Sequence, residues 1–330
     1  MGVVAGTWEL GPFVRHPDPV LSARPDLPWA AKDVFNPGAV VRDGRVHLLV
    51  RGEDRQAHGA GVSRVGLATS ADGLRFDLRD EPVLVPSTDD EAGGCEDPRV
   101  VESPAGGYVC LYTAFDGSVA RLHVATSDDL VAWTKHGRAF DSARWSKSGA
   151  VVTEVRDGRL VATRMDGRFW MYWGEGTGFA ATSDDLVRWR PVEFEDRDRR
   201  LEWDGGWRVE AVPGARVARP VLAPRRGRFD ARLVEPGPPA VLTDAGIVLV
   251  YNGADDRFAY RPGQALFDPL DPTAAIARAT EPFLEDTSAG QVGNVCFAQG
   301  LVLHEGRWLL YLGLADSRIG VATADAHFVD

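Results

Sequence analysis

The sequence predicts an all-β chain, a five-bladed β-propeller, on three observations. One phrase recurs at nearly constant spacing, a strand–turn–strand pattern precedes each recurrence, and turn-forming residues are abundant, with Gly 36 and Pro 21 in 330 residues. The phrase reads VGLATSADGLRF from Val65, HVATSDDLVAW from His123, FAATSDDLVRW from Phe179 and IGVATADAHF from Ile319. Thr69, Thr126 and Thr182 of these phrases stand 57 and 56 residues apart, whereas Thr323 follows only after 141. ALFDPLDPTAAIAR from Ala265 supplies a degenerate echo, with Phe267 56 residues before Thr323. The 85 residues from Thr182 to Phe267 then make one unit with an insertion. Four short strands per unit at this period suit propeller blades, and a sandwich has no reason to repeat its turns so evenly.

Each unit opens with two strands around a turn. These are AVVRDGRVHLLVR from Ala39, RVVESPAGGYVCLYTA from Arg99, LVATRMDGRFWMYWG from Leu160, AVLTDAGIVLVYNG from Ala240 and GLVLHEGRWLLYLG from Gly300. Asp-Gly, Gly-Gly, Ala-Gly and Glu-Gly between β-branched and aromatic runs are hairpin signals. The repeated phrase is the third strand, and its Asp-rich turn plus an aromatic starts the fourth. Ser and Asp in ATSDDL are expected to satisfy backbone donors, with Trp133 and Trp189 packing between blades. Asp128, Asp129, Asp184 and Asp185 are therefore structural. One domain spans residues 1–330, with the insertion at about 191–227. That insertion, with Trp203 and Trp207, reads equally as a surface elaboration or as a wall of a ligand site.

Charge and composition narrow the function. Lys and Arg total 37 against 48 Asp and Glu, a net −11 with no basic cluster, so no nucleic-acid partner is expected. Cys95, Cys110 and Cys296 form no CxxC pair, and His47, His58, His123 and His304 are scattered, so neither metal nor cofactor is expected. The first residues lack a basic region followed by an apolar run, and no stretch approaches a membrane-spanning length. A cytoplasmic protein without a membrane partner is the expectation, and assembly into a homo-oligomer is compatible with the sequence.

The strand that opens each blade points its start toward one mouth of the central channel. Asn36, Asp97, Lys147, Glu235 and Asn294 occupy comparable starts and are expected to form a polar ring. Buried without partners they would be costly, so they pair with one another or await a ligand. Proline after Asn36, Asp97 and Glu235 predicts an extended, fixed backbone at each. Arg51, Asp116, Glu175 and Asp316, at the ends of second strands, add a further shell, with Tyr251 beside them. Such a mouth suits a small neutral oligosaccharide, and paired carboxylates allow glycosidic chemistry.

At these residues the chain resembles glycoside hydrolase family 130, five-bladed propeller enzymes acting on β-mannosides. The matching phrases are FNPGAVVRDGRVHLLVRGED from Phe35, VSRVGLATSADGLRF from Val62, GGCEDPRV from Gly93, SKSGA from Ser146, GPPAVLTDAGIVLVYNGA from Gly237 and GNVCFAQGLV from Gly293. The resemblance implies that Asp97 is the proton donor. In phosphorylase members that acid acts through a sugar hydroxyl, and inorganic phosphate, held by basic residues, is the co-substrate. In the hydrolase-like branch glutamates occupy part of that region and activate water. WGE from Trp173 and LVEPGPPA from Leu233 are similar to the second form, making Glu175 and Glu235 the base candidates. Asn36, Arg51, Arg64, Arg99, Asp116, Lys147, Tyr251, Asn294 and Asp316 are then substrate-binding candidates. The expected activity is an inverting β-1,2-mannosidase, with a phosphorylase releasing α-mannose 1-phosphate, or a non-catalytic carbohydrate-binding propeller, as alternatives.

Overall fold

Paired residues with positive φ close the hairpins. Asp43 (φ 51°) and Gly44 (φ 69°) turn the first, and Glu305 (φ 49°) and Gly306 (φ 73°) turn the last. This left-handed pair matches the twist of the flanking strands, which explains why Asp-Gly and Glu-Gly stand there. The computed structural model describes residues 8–54, 61–141, 145–195, 216–218 and 220–326. Among these the chain is all-β, with two 3₁₀ turns as its only helical elements.

Five antiparallel sheets follow one another along the described chain. The first comprises Asp33–Arg42, Arg45–Glu53, Ser63–Ser70 and Asp77–Leu78. Gly94–Glu102, Tyr108–Phe115, Ala120–Ser127 and Thr134–Arg138 make the second. In the third, Ala150–Arg156, Arg168–Trp173, Phe179–Ser183 and Trp189–Pro191 are paired in order. An additional Asp157–Gly158 turn gives this sheet a hairpin that the sequence reading did not separate. The fourth carries Leu233–Pro236 and Ala240–Thr243 on Gly246–Ala254, followed by Tyr260–Phe267 and Ala275–Arg278. Cys296–His304, Arg307–Leu314 and Arg318–Asp325 make the fifth, and the N-terminal Val14–Arg15 and Leu21–Ser22 both pair with its last strand.

The apolar residues sort into five cores, each between two sheets. Leu49 and Val65 of the first sheet pack with Cys110 and Tyr112 of the second. Leu111 and Val124 join Val151 and Met171 of the third, and Ala150 and Tyr172 join Ile247 and Leu249 of the fourth. Val248 and Val250 meet Leu310 and Leu312 of the fifth. Leu309 and Tyr311 meet Val46 and Leu48 of the first. Alternating side chains thus bury both faces of every sheet, which is why the central strands are apolar almost throughout.

The ATSDDL turns are structural, as expected. Asp129 Oδ1 accepts from the N–H groups of Val131 and Ala132, and Asp185 Oδ1 from those of Val187 and Arg188. Trp189 is buried in the core between the second and third sheets, and Trp133 packs against the one between the first and second. Of the insertion, Glu193–Glu195 pairs with Arg216–Ala218. Trp203 and Trp207 lie outside the described residues.

Candidate active site

Asn36 (φ 45°) and Asp97 (φ 47°) adopt the left-handed conformation, which corrects the extended backbone expected before proline. The pairing register slips between Phe35 and Gly38 and again between Glu96 and Arg99. These bulges override the local preference and turn the two side chains onto each other. Asn36 Nδ2 donates to Asp97 Oδ1 at 3.0 Å. Register also shows that the five ring positions are not equivalent. Glu235 pairs with Asn252 as Glu96 pairs with Thr113, so it is the counterpart of Glu96 rather than of Asp97.

Arg51 is the hub on one side of Asp97. Its Nη1 donates to Asp97 Oδ1 at 3.0 Å, its Nη2 to Glu96 at 2.9 Å and Glu53 at 3.1 Å, and its Nε to Ser63 Oγ at 2.9 Å. The place a cation would take among these carboxylates is thus filled by a guanidinium. Lys147 is the hub on the other side, with Nζ 3.7 Å from Asp97 Oδ2 and 3.6 Å from Glu175 Oε1. Trp145 Nε1 donates to Glu175 Oε2 at 2.8 Å, and the Ser148 hydroxyl donates to Glu235 Oε1.

Burial favours a neutral Asp97, but Arg51, Lys147 and Arg99 and the Asn36 amide hold it well below the ordinary carboxylate range. Glu235 behaves in the opposite way. Burial pushes it up to about 7 against the pull of Lys147, and the nearby Glu175 adds to the rise. Burial raises Asp316 to about 6 despite Arg51, with Asp97 adding to the rise. Burial opposes the charge on Lys147, yet Glu235, Glu175, Asp97 and Glu96 keep it protonated far above the ordinary lysine range. The expected proton donor is therefore an anion, and one expected base holds a proton near neutrality.

Not every expected residue joins this cluster. Arg99, 1% exposed, spends its guanidinium on the carbonyls of Gly237, Pro236 and Asp97. It reaches Glu235 only at 3.9 Å and pins the opening strands of the second and fourth sheets together beneath the site. Arg64 donates to Asp54, and Asp116 accepts from Arg121. A third pair of this kind, Arg261 with Asp255, shows these to be a repeated clamp across the end of a hairpin. Tyr251 is fully buried and donates to Asp230. Asn294 is exposed, and its carbonyl accepts from Tyr260 N at 3.0 Å. Tyr260 was missed by sequence reasoning. Burial raises its phenol, and the charges of Glu235 and Glu175 raise it further. Trp145 and Ser148 were missed as well, although they flank Lys147 in WSKSG. A cleft of about 660 Å³ beside the last strand of the second sheet, lined by His136, Arg138, Phe140 and Arg188 among others, contains none of these residues.

The family model Glyco_hydro_130, described as beta-1,4-mannooligosaccharide phosphorylase, matches residues 23–330. The chain belongs to glycoside hydrolase family 130. Family 130 relatives span both chemistries. The chain is 32% identical over 314 residues to a 1,2-beta-oligomannan phosphorylase of Thermoanaerobacter sp. (strain X514), covering 92% of this chain and 94% of that protein. A glycosyl hydrolase structure from Bacteroides ovatus superposes with TM-score 0.86 at 39% identity, covering 96% of this chain and 95% of the other. A family 130 structure from work on glycoside hydrolases that target β-1,2-mannosidic linkages in Candida mannan superposes with TM-score 0.85 at 38% identity and the same coverage. Family 130 acts on β-mannosides, so the carboxylate cluster lies in a β-mannoside enzyme.

Proposed function

We propose that this chain is a five-bladed β-propeller glycoside hydrolase that cleaves β-1,2-linked mannosides with inversion. Five consecutive antiparallel sheets support the propeller reading, as do five cores that link each sheet to the next and the fifth to the first. The N-terminal strands completing the C-terminal sheet are the closure such a ring needs.

One observation carries the hydrolase reading: the cations of the cluster are already committed. Arg51 faces Asp97, Glu96 and Glu53, Lys147 lies between Asp97 and Glu175, and Arg99 is turned to backbone carbonyls. Glu175, Glu235 and Asp316 add further carboxylates. A phosphate dianion entering this field meets like charge at short range, whereas a water molecule meets proton acceptors.

Asp97 supplies the proton for the leaving oxygen, and the Glu175–Glu235 pair takes the proton from water. Because Arg51 and Lys147 hold Asp97 as an anion, it must first take up a proton in the substrate complex before it can deliver one. Asn36, Arg51, Lys147, Tyr260 and Asp316 are the sugar-binding set, and a small neutral oligosaccharide is the partner. No cofactor is required.

Incubating β-1,2- and β-1,4-mannobiose with the protein, with and without phosphate, tests this reading. Free mannose should appear at equal rates in both conditions from the β-1,2 substrate, and Glu235→Gln should abolish it. Mannose release that requires phosphate, with α-mannose 1-phosphate as product, would establish the phosphorylase reading favoured by the Thermoanaerobacter relative's name. Binding without turnover by any route would leave a carbohydrate-binding propeller.

A further inference from the structure

The five residues WSKSG, 145–149, reach all three proposed catalytic carboxylates. Trp145 contacts Glu175, Lys147 contacts Glu175 and Asp97, and Ser148 contacts Glu235. The segment is anchored behind the site. Ser146 N donates to Ala120 O at 3.0 Å, and its hydroxyl accepts from Leu122 N at 3.0 Å. At Gly149 a Cβ would lie 2.7 Å from a Leu111 methyl and 2.9 Å from Met171 sulfur, so the backbone there is packed closely against both side chains. Trp145 therefore projects from a fixed base.

Its indole is used differently from the other described tryptophans. The indole N–H groups of Trp29, Trp133, Trp170, Trp173 and Trp189 all go to backbone carbonyls. That of Trp145 goes to a carboxylate, and the residue is 39% exposed, whereas Asp97 is 3% exposed. Exposure thus rises from Asp97 to Trp145, so a terminal sugar held against Asp97 would extend its next ring outward toward the indole. An aromatic ring fixed at its polar edge with its apolar face open is suited to the C–H face of a pyranose.

We infer that Trp145 does two things: it positions Glu175 through the indole N–H, and it forms the stacking platform for the second sugar ring of the substrate. This rests on reading the cluster as a β-mannoside-cleaving site. Trp145→Phe retains an aromatic face and removes the N–H, while Trp145→Ala removes both. With β-1,2-mannobiose and mannotriose, Trp145→Phe should lower kcat roughly tenfold and leave KM nearly unchanged, because a hydrogen bond to a charged group is lost. Trp145→Ala should share the kcat loss and raise KM roughly three- to tenfold through the lost ring contact. Inhibition by mannose alone, which fills only the inner position, should be equal in the two variants.

Wild-type kcat in Trp145→Phe would overturn the positioning role, and equal KM in the two variants would overturn the platform. Quantifying mannose and mannose 1-phosphate together keeps the underlying reading separate. The wild-type product decides the reaction, and the variant ratios decide Trp145 for either nucleophile. Calorimetric titration with mannotriose in an Asp97→Asn background gives the platform test without turnover, and an affinity unchanged by adding Trp145→Ala would contradict the platform.

Discussion

Two buried ionic clusters show how a structural network differs from a site. Around Asp230 one fully buried carboxylate meets Arg225 at 2.8 Å, Arg278 at 2.6 Å and the Tyr251 hydroxyl at 2.8 Å. Its donors outnumber its acceptors, and Arg225 and Arg278 also donate to the carbonyls of Ala279 and Ala223, so the surplus is absorbed by backbone. Around Asp97 the balance is reversed. Several carboxylates share Arg51 and Lys147, Glu235 is pushed up to about 7, and Asn36 Oδ1 is buried without a partner. Saturation marks the first cluster as a fastening for the loop that leads into Leu233–Pro236, whereas the unbalanced charge of the second is what the proposed site requires.

The largest expected effect separates the two clusters by activity. Asp97→Asn should lower turnover roughly 10²–10⁴-fold with the fold retained, since the loss falls on proton transfer. Steady-state kinetics and thermal melts on the same sample check this. Asp230→Ala should do the reverse, costing about 3 kcal/mol in denaturant titrations by leaving two guanidiniums around an empty position, with turnover per folded molecule retained. Loss of turnover without loss of stability in Asp230→Ala would erase the distinction.

The pH dependence sharpens it further. Glu235 has its folded value raised from 4.5 to about 7, so across that interval the folded chain holds a proton that the unfolded chain has released. The associated stability is complete below the ordinary value and is lost as pH rises through the folded value. Denaturant midpoints should therefore decline from about pH 5 to about pH 8, and Glu235→Gln should flatten that decline. Asp97, lowered rather than raised, acts with the opposite sign and loses its contribution only in strong acid. The smallest effect belongs to the turns. Asp129→Ala should cost about 1 kcal/mol, because two backbone donors lose their acceptor, with kcat and KM unchanged.

The all-β class was legible because its signals are local. Asp43–Gly44 and Glu305–Gly306 declare their hairpins, and the ATSDDL phrase declares its own turn. Asn36, Arg51, Asp97, Lys147, Glu175 and Glu235 were legible for a related reason, since repeated hairpins bring corresponding strand ends to one face. Their relative register was not. The bulges at 36–37 and 97–98 are backbone features that the following proline argues against, and they decide which side chains meet. The same parity problem selected Tyr251, whose side chain turns to Asp230, over Tyr260 at the start of the next strand, whose phenol the charges of Glu235 and Glu175 raise. Arg64 and Asp116 looked like free polar groups at the rim because their clamp partners, Asp54 and Arg121, are declared only by pairing across a hairpin. Arg99 looked like a ligand contact because sequence does not show that its side chain runs beneath the site to Gly237.

The most direct measurement is a proton NMR time course of β-1,2-mannobiose cleavage in phosphate-free buffer. An inverting hydrolase gives an early α-to-β ratio of released mannose above that of the substrate's reducing end, which then relaxes by mutarotation. An early excess of β-mannose over that ratio, or no cleavage until phosphate is added, would contradict this mechanism.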